Sequence, residues 1–319
     1  MDIADRIERR LKLHDLRVLM SIVQAGSMSK AAERLGTAQP ALSRSIAELE
    51  HALGVRLLDR GPRGVAPTDY GRALIKRGAA VFDELRQSVK DIEFLSDPTA
   101  GELRIGTGAA VASGPVLAVI DRLSQQYPRI SIHLMTGSIE ELCDHLAERT
   151  IELAVIRLAE PILDRTFAVE NLFDDPYVVA AAAQNPWTRR RRIHLAELVN
   201  EPWVLLPFDI QAGAIVAHAF RTSGVEPPRA TVFTRAIEVR DRLLATGRFL
   251  STLPAHSLGV PRRSTFKALP VQLPGTRRPV VIITLKARTL SPLAQLFAAR
   301  LRATVKPLVT ARKPSGRTG

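Results

Sequence analysis

A proline-free stretch from about Asp69 to Leu95 constrains this chain most, because it predicts one long helix between two differently patterned halves. Small or apolar side chains recur along it at alternating steps of four and three, the spacing of a heptad seam. The seam consists of Leu74, Gly78, Val81, Leu85, Ser88, Ile92 and Leu95. We therefore expect a linker helix over residues 69–97 that pairs with a second copy. The alternative is a helix that lies on its own domain.

The five large apolar residues of the seam are the candidate dimerisation residues. They are Leu74, Val81, Leu85, Ile92 and Leu95.

The residues before this helix predict a compact helical head. Residues 11–58 have helical periodicity interrupted by short glycine turns. Residues 60–68, rich in Gly, Pro and Arg, break the helical pattern and predict a small hairpin with a basic tip. The head therefore spans residues 11–68, with the hairpin as a wing beside the helices.

Within the head, residues 28–47 have the spacing of a helix-turn-helix. Ser29 is the expected N-cap of a short helix over residues 30–35. Gly36 supplies the permissive backbone at the turn, and Pro40 falls in the first turn of the next helix, where proline costs little.

This second helix has two contrasting faces. Leu42, Ile46 and Leu49 lie together at steps of four and three and predict a buried face. The opposite face carries Pro40, Arg44 and Ala47, with Ser43 at its side. A helix that presents small side chains and one arginine can enter a major groove, whereas the plain alternative is a three-helix bundle with a solvated Arg44.

The residues after the linker helix predict an α/β domain of two lobes over residues 101–305. Apolar strand-like runs alternate with helical stretches, which indicates an open and largely parallel sheet in each lobe. The first lobe is expected at 101–170 and 271–305 and the second at 171–270, with a cleft between the strand ends. Residues 306–319 are basic without acids and are expected to form a disordered tail.

Composition limits the partners and the compartment. The 319 residues contain 45 Lys plus Arg against 32 Asp plus Glu, a net charge of +13, so a polyanion is the first partner to test. A single cysteine, Cys143, excludes an intramolecular disulfide framework and favours a reducing cytoplasm. The chain starts without a signal-peptide pattern and lacks the ~20 consecutive apolar residues of a membrane span, so we expect no membrane association.

The sequence supports no cofactor, metal or catalytic site. The loop GTGAAV at 106–111 lacks the third glycine of a dinucleotide fingerprint. The seven histidines form no metal-binding spacing, and an ordinary helical pair explains Glu141 and His145. We therefore expect a protein that is not an enzyme. The alternative is a solute-binding or enzymatic α/β protein with an added helical domain.

Residues 16–71 strongly resemble the LysR-type transcriptional regulators. The matching residues are Ala31, Ala32, Leu35, Gln39, Pro40, Leu42, Ser43, Arg44, Ile46, Leu49, Glu50, Leu53, Gly54, Leu57, Arg60, Arg63, Gly64, Thr68 and Gly71. The resemblance continues more loosely over the rest of the chain except the tail. It implies an N-terminal winged helix-turn-helix, a dimerising helix and a two-lobed α/β effector domain of periplasmic-binding-protein type.

The resemblance also implies a function and partners. A family member binds double-stranded DNA at an interrupted dyad site as a homodimer or homotetramer, and a small-molecule effector held between the lobes modulates it. RNA polymerase is a further expected partner. The effector domain is most similar to relatives that respond to sugars or to acids of aromatic catabolism.

The DNA-binding residues then receive expected roles. Lys30, Arg34, Arg60 and Arg63 are candidates for phosphate contacts, the alternative being solvated surface charge. Gln39, Ser43 and Arg44 are the candidates for reading bases. The full expected set is Ser29, Lys30, Arg34, Gln39, Pro40, Ser43, Arg44, Arg60, Arg63 and Thr68.

Strand ends and helix starts supply the candidate effector residues, because exposed backbone N–H groups there bind small anions. The expected set is Thr107, Gly108, Ala109, Thr136, Gly137, Ser138, Arg157, Phe208, Asp209, Arg235, Thr252 and Pro254. Arg157 and Arg235 favour a carboxylate if they face the cleft. The alternative for each hydroxyl is a structural helix cap.

The four consecutive arginines, residues 189–192, are expected in a solvated loop of the effector domain. Contact with a neighbouring protomer or with polymerase is the alternative.

Overall fold

The computed structural model describes residues 11–61, 64–259 and 265–310. The chain divides into two compact units, Met1–Val89 and Lys90–Gly319. No helix in the described ranges is long and apolar enough to cross a membrane.

The first unit holds the helical head and most of the long helix. Its elements are α1 (Leu13–Ala25), α2 (Met28–Arg34), α3 (Gln39–Leu53), β1 (Leu58–Gly61), β2 (Gly64–Pro67) and α4 (Asp69–Ser96), which continues into the second unit. One small core joins the three short helices, and the buried side chains of α3, Leu42, Ile46 and Leu49, are the predicted ones. The hydroxyl of Ser45 donates to Asp15 Oδ1 at 2.8 Å and ties α3 to α1.

The predicted hairpin is confirmed, since β1 and β2 pair antiparallel from Leu58–Pro67 to Gly61–Gly64. The backbone N–H of Val65 donates to the carbonyl of Gly26 at 3.0 Å, so the wing packs against the turn between α1 and α2. Gly64 permits this approach, because a Cβ there would lie 2.5 Å from that carbonyl oxygen. The two tip residues, 62 and 63, lie outside the described ranges.

Helix α4 confirms the long proline-free helix but divides its seam. Leu74 packs on the head core, and Gly78 lies against Leu16 and Met20 of α1, so these positions are used within the head. Val81 and Leu85 are 41% and 43% exposed, and Ile92 and Leu95 are 64% and 81% exposed. Leu74 is therefore corrected from a dimer residue to a head residue, while the later seam remains uncovered in the single chain.

The second unit begins with the last turns of α4 and contains two lobes. The strands of the first lobe are β3 (Ala100–Thr107), β4 (Arg129–Thr136), β5 (Leu153–Arg157), β6 (Phe167–Asp175) and β12 (Arg278–Leu285). Its helices are α5 (Leu117–Gln126), α6 (Ile139–Ala147) and α9 (Pro292–Thr310), and a short kinked helical segment, Ala109–Val116, precedes α5.

The first lobe has one sheet in the order β4-β3-β5-β12-β6. Successive side chains point to opposite faces of a strand, so Val280 and Ile282 enter the core beneath α5 and α9 while Val281 and Ile283 enter the core beneath α6. The first three strands run parallel, but β12 is antiparallel to both neighbours. The predicted return of the last strand to this lobe is confirmed.

The second lobe contains β7 (Tyr177–Ala182), β8 (Val204–Leu205), α7 (Gln211–Thr222), β9 (Val232–Phe233), α8 (Ile237–Ala245), β10 (Leu250–Pro254) and β11 (Phe266–Ala268). Strand β7 pairs antiparallel with both β10 and β11, whereas β8 pairs parallel with β9. The expectation of a largely parallel sheet is thus wrong for this lobe, because the chain enters it on a central strand that runs against its neighbours.

Two expected boundaries shift. Strand β6 extends to Asp175 within the first sheet, so the chain crosses to the second lobe at Pro176 rather than after residue 170. Helix α9 continues to Thr310, so residues 306–310 are helical and not a disordered tail. The rest of the expected tail, 311–319, lies outside the described residues.

Candidate functional site

The helix-turn-helix forms with a different cap from the predicted one. Helix α2 begins at Met28, and the hydroxyl of Ser27 accepts the backbone N–H of Lys30 at 3.2 Å, so Ser27 is the N-cap. Ser29 does not cap the helix, and its hydroxyl donates to Gln39 Oε1 at 3.2 Å. Gly36 adopts the left-handed backbone at the turn, with φ +61°. Ser29 is therefore an exposed residue of the motif and not its helix cap.

The outward face of α3 is open to solvent. Gln39, Pro40 and Arg44 are exposed, and Ser43 is half-buried beside them. The Ser29–Gln39 hydrogen bond orders the start of this face. Because the opposite side of the helix is fully committed to the core, α3 has one orientation in the head, and its polar residues point away from the fold.

The candidate phosphate-contact residues differ in what the structure shows of them. Lys30, Arg34 and Arg60 are exposed, and Arg63 lies outside the described residues. The hydroxyl of Thr68 donates to the carbonyl of Arg56 at 2.7 Å and accepts the N–H of Gly71 at 3.1 Å. Thr68 therefore caps α4, and the expected DNA contact through its hydroxyl is corrected to a structural role.

The sequence reasoning did not predict the role of Glu50, whose carboxylate supports the helix-turn-helix. Glu50 Oε1, on α3, accepts the backbone N–H groups of Leu57 at 2.6 Å and Leu58 at 3.1 Å. This contact fixes the turn from α3 into the wing. A glutamate on the side of an amphipathic helix gives no signal in the sequence that it will bind the backbone seven residues later.

In the effector domain, several predicted cleft residues are used by the fold itself. Thr107 is fully buried and donates its hydroxyl to the carbonyl of Val155 at 2.9 Å. Thr252 and Pro254 are buried within β10. Ser138 caps α6 by accepting the N–H of Glu141 at 3.2 Å. The structure corrects Thr107, Thr252 and Pro254 to interior residues.

The remaining first-lobe candidates surround the start of α6 and the end of β3. Gly108 is buried, and a Cβ there would come within 2.8 Å of Ile156 Cγ1. The N–H of Gly137 donates to the carbonyl of Thr107 at 3.1 Å. Ala109 and Thr136 are exposed. These backbone contacts hold the two strand ends together.

The guanidinium of Arg157 faces inward, although the residue borders a pocket described below. Its side chain is 6% exposed. It donates to the carbonyl of Asp175 at 3.1 Å and to that of Thr276, and it lies 4.3 Å from the centre of the Tyr177 ring. Burial lowers the pKa of Arg157 and raises that of Tyr177. Arg157 is thus a structural cation at the crossing between lobes, and the carboxylate expectation loses this support.

Asp175 and His256 complete that crossing and were missed by the sequence reasoning. Asp175 is fully buried and accepts from the backbone N–H of His256 at 3.1 Å, and His256 Nδ1 lies 2.8 Å from Asp175 Oδ2. His256 Nε2 lies 3.1 Å from the carbonyl oxygen of Ala110. His256 belongs to the second lobe and its two oxygen partners to the first, so the ring bridges the lobes. Gly114 leaves room for it, because a Cβ there would lie 2.6 Å from His256 Cδ2.

A pocket lies at the carboxyl end of β5, between α6 and the loop that follows the strand. Its volume is about 580 Å³. Ser138 and Arg157 border it, and Gln211 at the start of α7 is the one second-lobe residue among the described lining residues. The pocket therefore occupies the edge of the sheet where a ligand is expected in an open α/β fold.

The second-lobe candidates lie elsewhere. Phe208 packs edge to face on Phe233, with ring centres 5.2 Å apart. Asp209 and Arg235 are exposed and do not line the 580 Å³ pocket.

The four arginines at 189–192 are all exposed, as expected for a solvated run. The guanidinium of Arg190 lies 5.4 Å from the ring of Trp187. The predicted pair of Glu141 and His145 is wrong, because Glu141 accepts the N–H of Ser138 and His145 lies 2.8 Å from the hydroxyl of Thr150.

A winged helix-turn-helix head joined through a long helix to a two-lobed ligand-binding domain defines a DNA-binding transcriptional regulator. Two family models match the chain: "Bacterial regulatory helix-turn-helix protein, lysR family" over residues 13–72 and "LysR substrate binding domain" over residues 96–306. The chain belongs to the LysR family of transcriptional regulators, and this family is not one of enzymes.

A relative agrees with this assignment, and solved structures share the fold. The chain is 27% identical over 300 residues to the HTH-type transcriptional regulator GbpR of Azospirillum brasilense, covering 93% of this chain and 87% of that one. A full-length OxyR variant from Pseudomonas aeruginosa has the same fold, with a TM-score of 0.59 at 22% identity over 92% of this chain and 94% of that one. Full-length CbnR complexed with its target DNA has a TM-score of 0.52 at 21% identity, covering 93% of this chain and 100% of that one.

Proposed function

We propose that α3 enters the major groove and reads bases through Gln39, Ser43 and Arg44. The observation that carries this proposal is the contrast between the two faces of α3: one is fully buried in the head core, and the other presents an exposed amide and an exposed guanidinium. An amide suits adenine and a guanidinium suits guanine as bidentate partners. Lys30, Arg34, Arg60 and Arg63 then contact phosphates and set the register.

Binding assays on the Arg44→Ala variant test base reading. On DNA from upstream of its own or a neighbouring coding region, the loss should be about 1–3 kcal/mol, while binding to random DNA stays nearly unchanged. Lys30→Ala is the matched control, because loss of a phosphate contact weakens binding to both DNAs equally and lowers the salt dependence. Equal losses on both DNAs for Arg44→Ala would refute base reading.

We propose further that two copies pair along α4 through Val81, Leu85, Ile92 and Leu95. The exposure of these side chains on one helix supports pairing, since an apolar row at heptad spacing is stabilised when a second helix covers it. Two heads would then bind an interrupted dyad, whose half-sites are spaced by helical turns. A homotetramer is the larger assembly consistent with the same pairing.

Sedimentation of the Leu85→Asp variant tests the pairing. A carboxylate buried in the seam should shift the chain toward monomer and remove binding to the paired half-sites. Lys76→Glu is the control, because Lys76 is exposed on the opposite face of the same helix. A Leu85→Asp variant that remains dimeric at micromolar concentration would refute this seam.

The effector is proposed to bind at the carboxyl ends of the first-lobe strands and to favour one arrangement of the lobes, because a ligand shifts an equilibrium only through differential affinity. A carboxylate or a sugar is the ligand class expected from the family resemblance. We propose a cytoplasmic location, and RNA polymerase as a further partner, on the basis of the regulatory role of the family.

A further inference from the structure

His256 places both of its ring nitrogens against oxygen atoms. Nδ1 lies 2.8 Å from Asp175 Oδ2, and Nε2 lies 3.1 Å from the carbonyl oxygen of Ala110. A neutral imidazole carries one N–H, so it donates to only one of these oxygens and leaves the other nitrogen facing a second acceptor. A ring with a proton on each nitrogen donates to both. Because the side chain of His256 is 1% exposed, both contacts are shielded from water, and the geometry is that of an imidazolium.

Asp175 is the anion of this pair. Its Oδ1 accepts the backbone N–H of His256 at 3.1 Å, and the Nε of Arg157 lies 3.9 Å from its Oδ2. Both contacts stabilise the ionised carboxylate. The proton between Asp175 and His256 therefore belongs to the imidazole ring.

The charged groups around the ring act in opposite directions. Of the titratable side chains described near it, Asp175 is the one in contact, and it favours the positive charge of the ring. Arg157, from β5, stands behind Asp175 and disfavours a second cation there. Tyr177, from β7, and Arg278, from β12, interact with Arg157. The kinked segment Ala109–Val116 contributes no titratable side chain.

The ring joins this kinked segment of the first lobe to the second lobe. Ala110 lies in the segment, and the backbone leaves the helical conformation at Gly114, with φ −115° and ψ −116°. Phe173, at the end of β6, packs edge to face on the ring, with centres 5.8 Å apart. The hydrogen bond from Nε2 to Ala110 therefore holds the segment on a ring whose position is fixed from the other side.

We propose that the His256 bridge, formed by His256, Asp175 and Ala110, is a proton-dependent connection between the lobes. When the ring loses a proton, the remaining N–H stays at Nδ1, because a carboxylate is a stronger acceptor than a carbonyl. The bare Nε2 then faces the carbonyl oxygen of Ala110, and the repulsion between two acceptors releases the kinked segment.

The sign of the effect follows from this arrangement. Lower pH holds the kinked segment on the second lobe, and higher pH frees it. The bridge needs no ligand, so it acts wherever the effector binds.

Hydrogen–deuterium exchange of the full-length protein tests the bridge. The protection of the backbone amides in residues 109–116 is measured at about pH 5 and about pH 8, the range in which histidine ordinarily changes charge. Each rate is divided by that of the unfolded chain at the same pH. Protection should be about tenfold lower at the higher pH, because one hydrogen bond from a charged group is lost. Helix α8, which contains no histidine, should be equally protected at both pH values.

Two substitutions separate the bridge from titration elsewhere. Asp175→Asn keeps an oxygen for the backbone N–H of His256 and offers the ring an amide donor at Nδ1. A neutral ring then keeps its proton at Nε2 for Ala110, so protection should stay high at both pH values. His256→Gln has no titratable group at this position and should also remove the pH dependence. His133→Gln, which changes an exposed histidine of the first lobe, is the matched control and should retain it.

The proposal is overturned if the protection of residues 109–116 in the native chain does not change with pH. It is also overturned if His256→Gln or Asp175→Asn shows the same change as the native chain, or if the loss of protection extends to α8. Circular dichroism establishes that each variant is folded. If Asp175→Asn does not fold, the native chain and His256→Gln decide the outcome.

Discussion

The head and the effector domain differ in what their polar residues do. On α3 of the head, Gln39 and Arg44 are exposed and take no part in the core. In the effector domain the hydroxyl of Thr107 donates to a backbone carbonyl, and the hydroxyl of Ser138 accepts a backbone N–H as a helix cap. A helical repeat over several turns decides which side faces out, whereas a hydroxyl at a strand end competes with the main-chain groups around it.

The largest effect should come from Asp175→Ala, which removes the buried partner of His256 and a charge next to Arg157. Loss of one member of a buried charged cluster costs about 3–5 kcal/mol in the free energy of unfolding. Both tryptophans, Trp187 and Trp203, lie in the second lobe, so their fluorescence in urea follows this domain and not the head. Asp174→Ala, at an exposed neighbour, is the control and should change stability far less.

If Asp175→Ala and Asp174→Ala lowered stability equally, the buried crossing between the lobes would not be a main source of the stability of the effector domain.

Alanine substitutions at two serines of the head should have effects of intermediate size and should distinguish the roles of these serines. Ser27→Ala removes the N-cap of α2 and should lower the free energy of unfolding by about 1 kcal/mol, measured by circular dichroism. Ser29→Ala should leave stability nearly unchanged and lower the affinity for specific DNA, because Ser29 orders Gln39. The reverse pattern would restore Ser29 as the cap and contradict the contrast between the two domains.

The smallest effect concerns pH. Arg302 donates two hydrogen bonds to Glu170, at 2.7 and 2.8 Å, and these lower the pKa of Glu170. A carboxyl whose pKa falls on folding stabilises the protein above its unfolded-state pKa, about 4.3 for Glu, and loses this contribution as pH drops through the folded-state pKa. Glu170→Gln should therefore lower stability at pH 7 by at most about 1 kcal/mol, since both side chains are half exposed.

The difference between the native chain and Glu170→Gln should shrink as pH falls below about 4 in urea titrations. Glu148→Gln, which changes an exposed carboxylate at the end of α6, is the control for general charge effects. A difference that grew on acidification would contradict the assigned direction.

Local periodicity explains how much of the fold the sequence could predict. The four-and-three spacing of Leu42, Ile46 and Leu49 predicted α3 and its buried face, and the glycines and prolines of residues 60–68 indicated the wing. The cap of α2 was displaced by two residues, because Ser27 and Ser29 offer the same chemistry and only the position where the helix begins distinguishes them.

The site of the effector domain was less predictable because its contacts are distant in sequence. Asp175 and His256 are 81 residues apart, and Arg157 and Thr276 are 119 apart, so no local pattern connects them.

The His256 bridge has a consequence for the design of new sensors. The chain passes between the lobes at Pro176 and again between β11 and β12, and these connections are natural cut points for exchanging the second lobe between relatives. Such a chimera would take His256 from one parent and Asp175, Ala110 and Gly114 from the other. Exchanges should therefore move these four positions as a set, so that a transplanted lobe arrives with the residues that hold it.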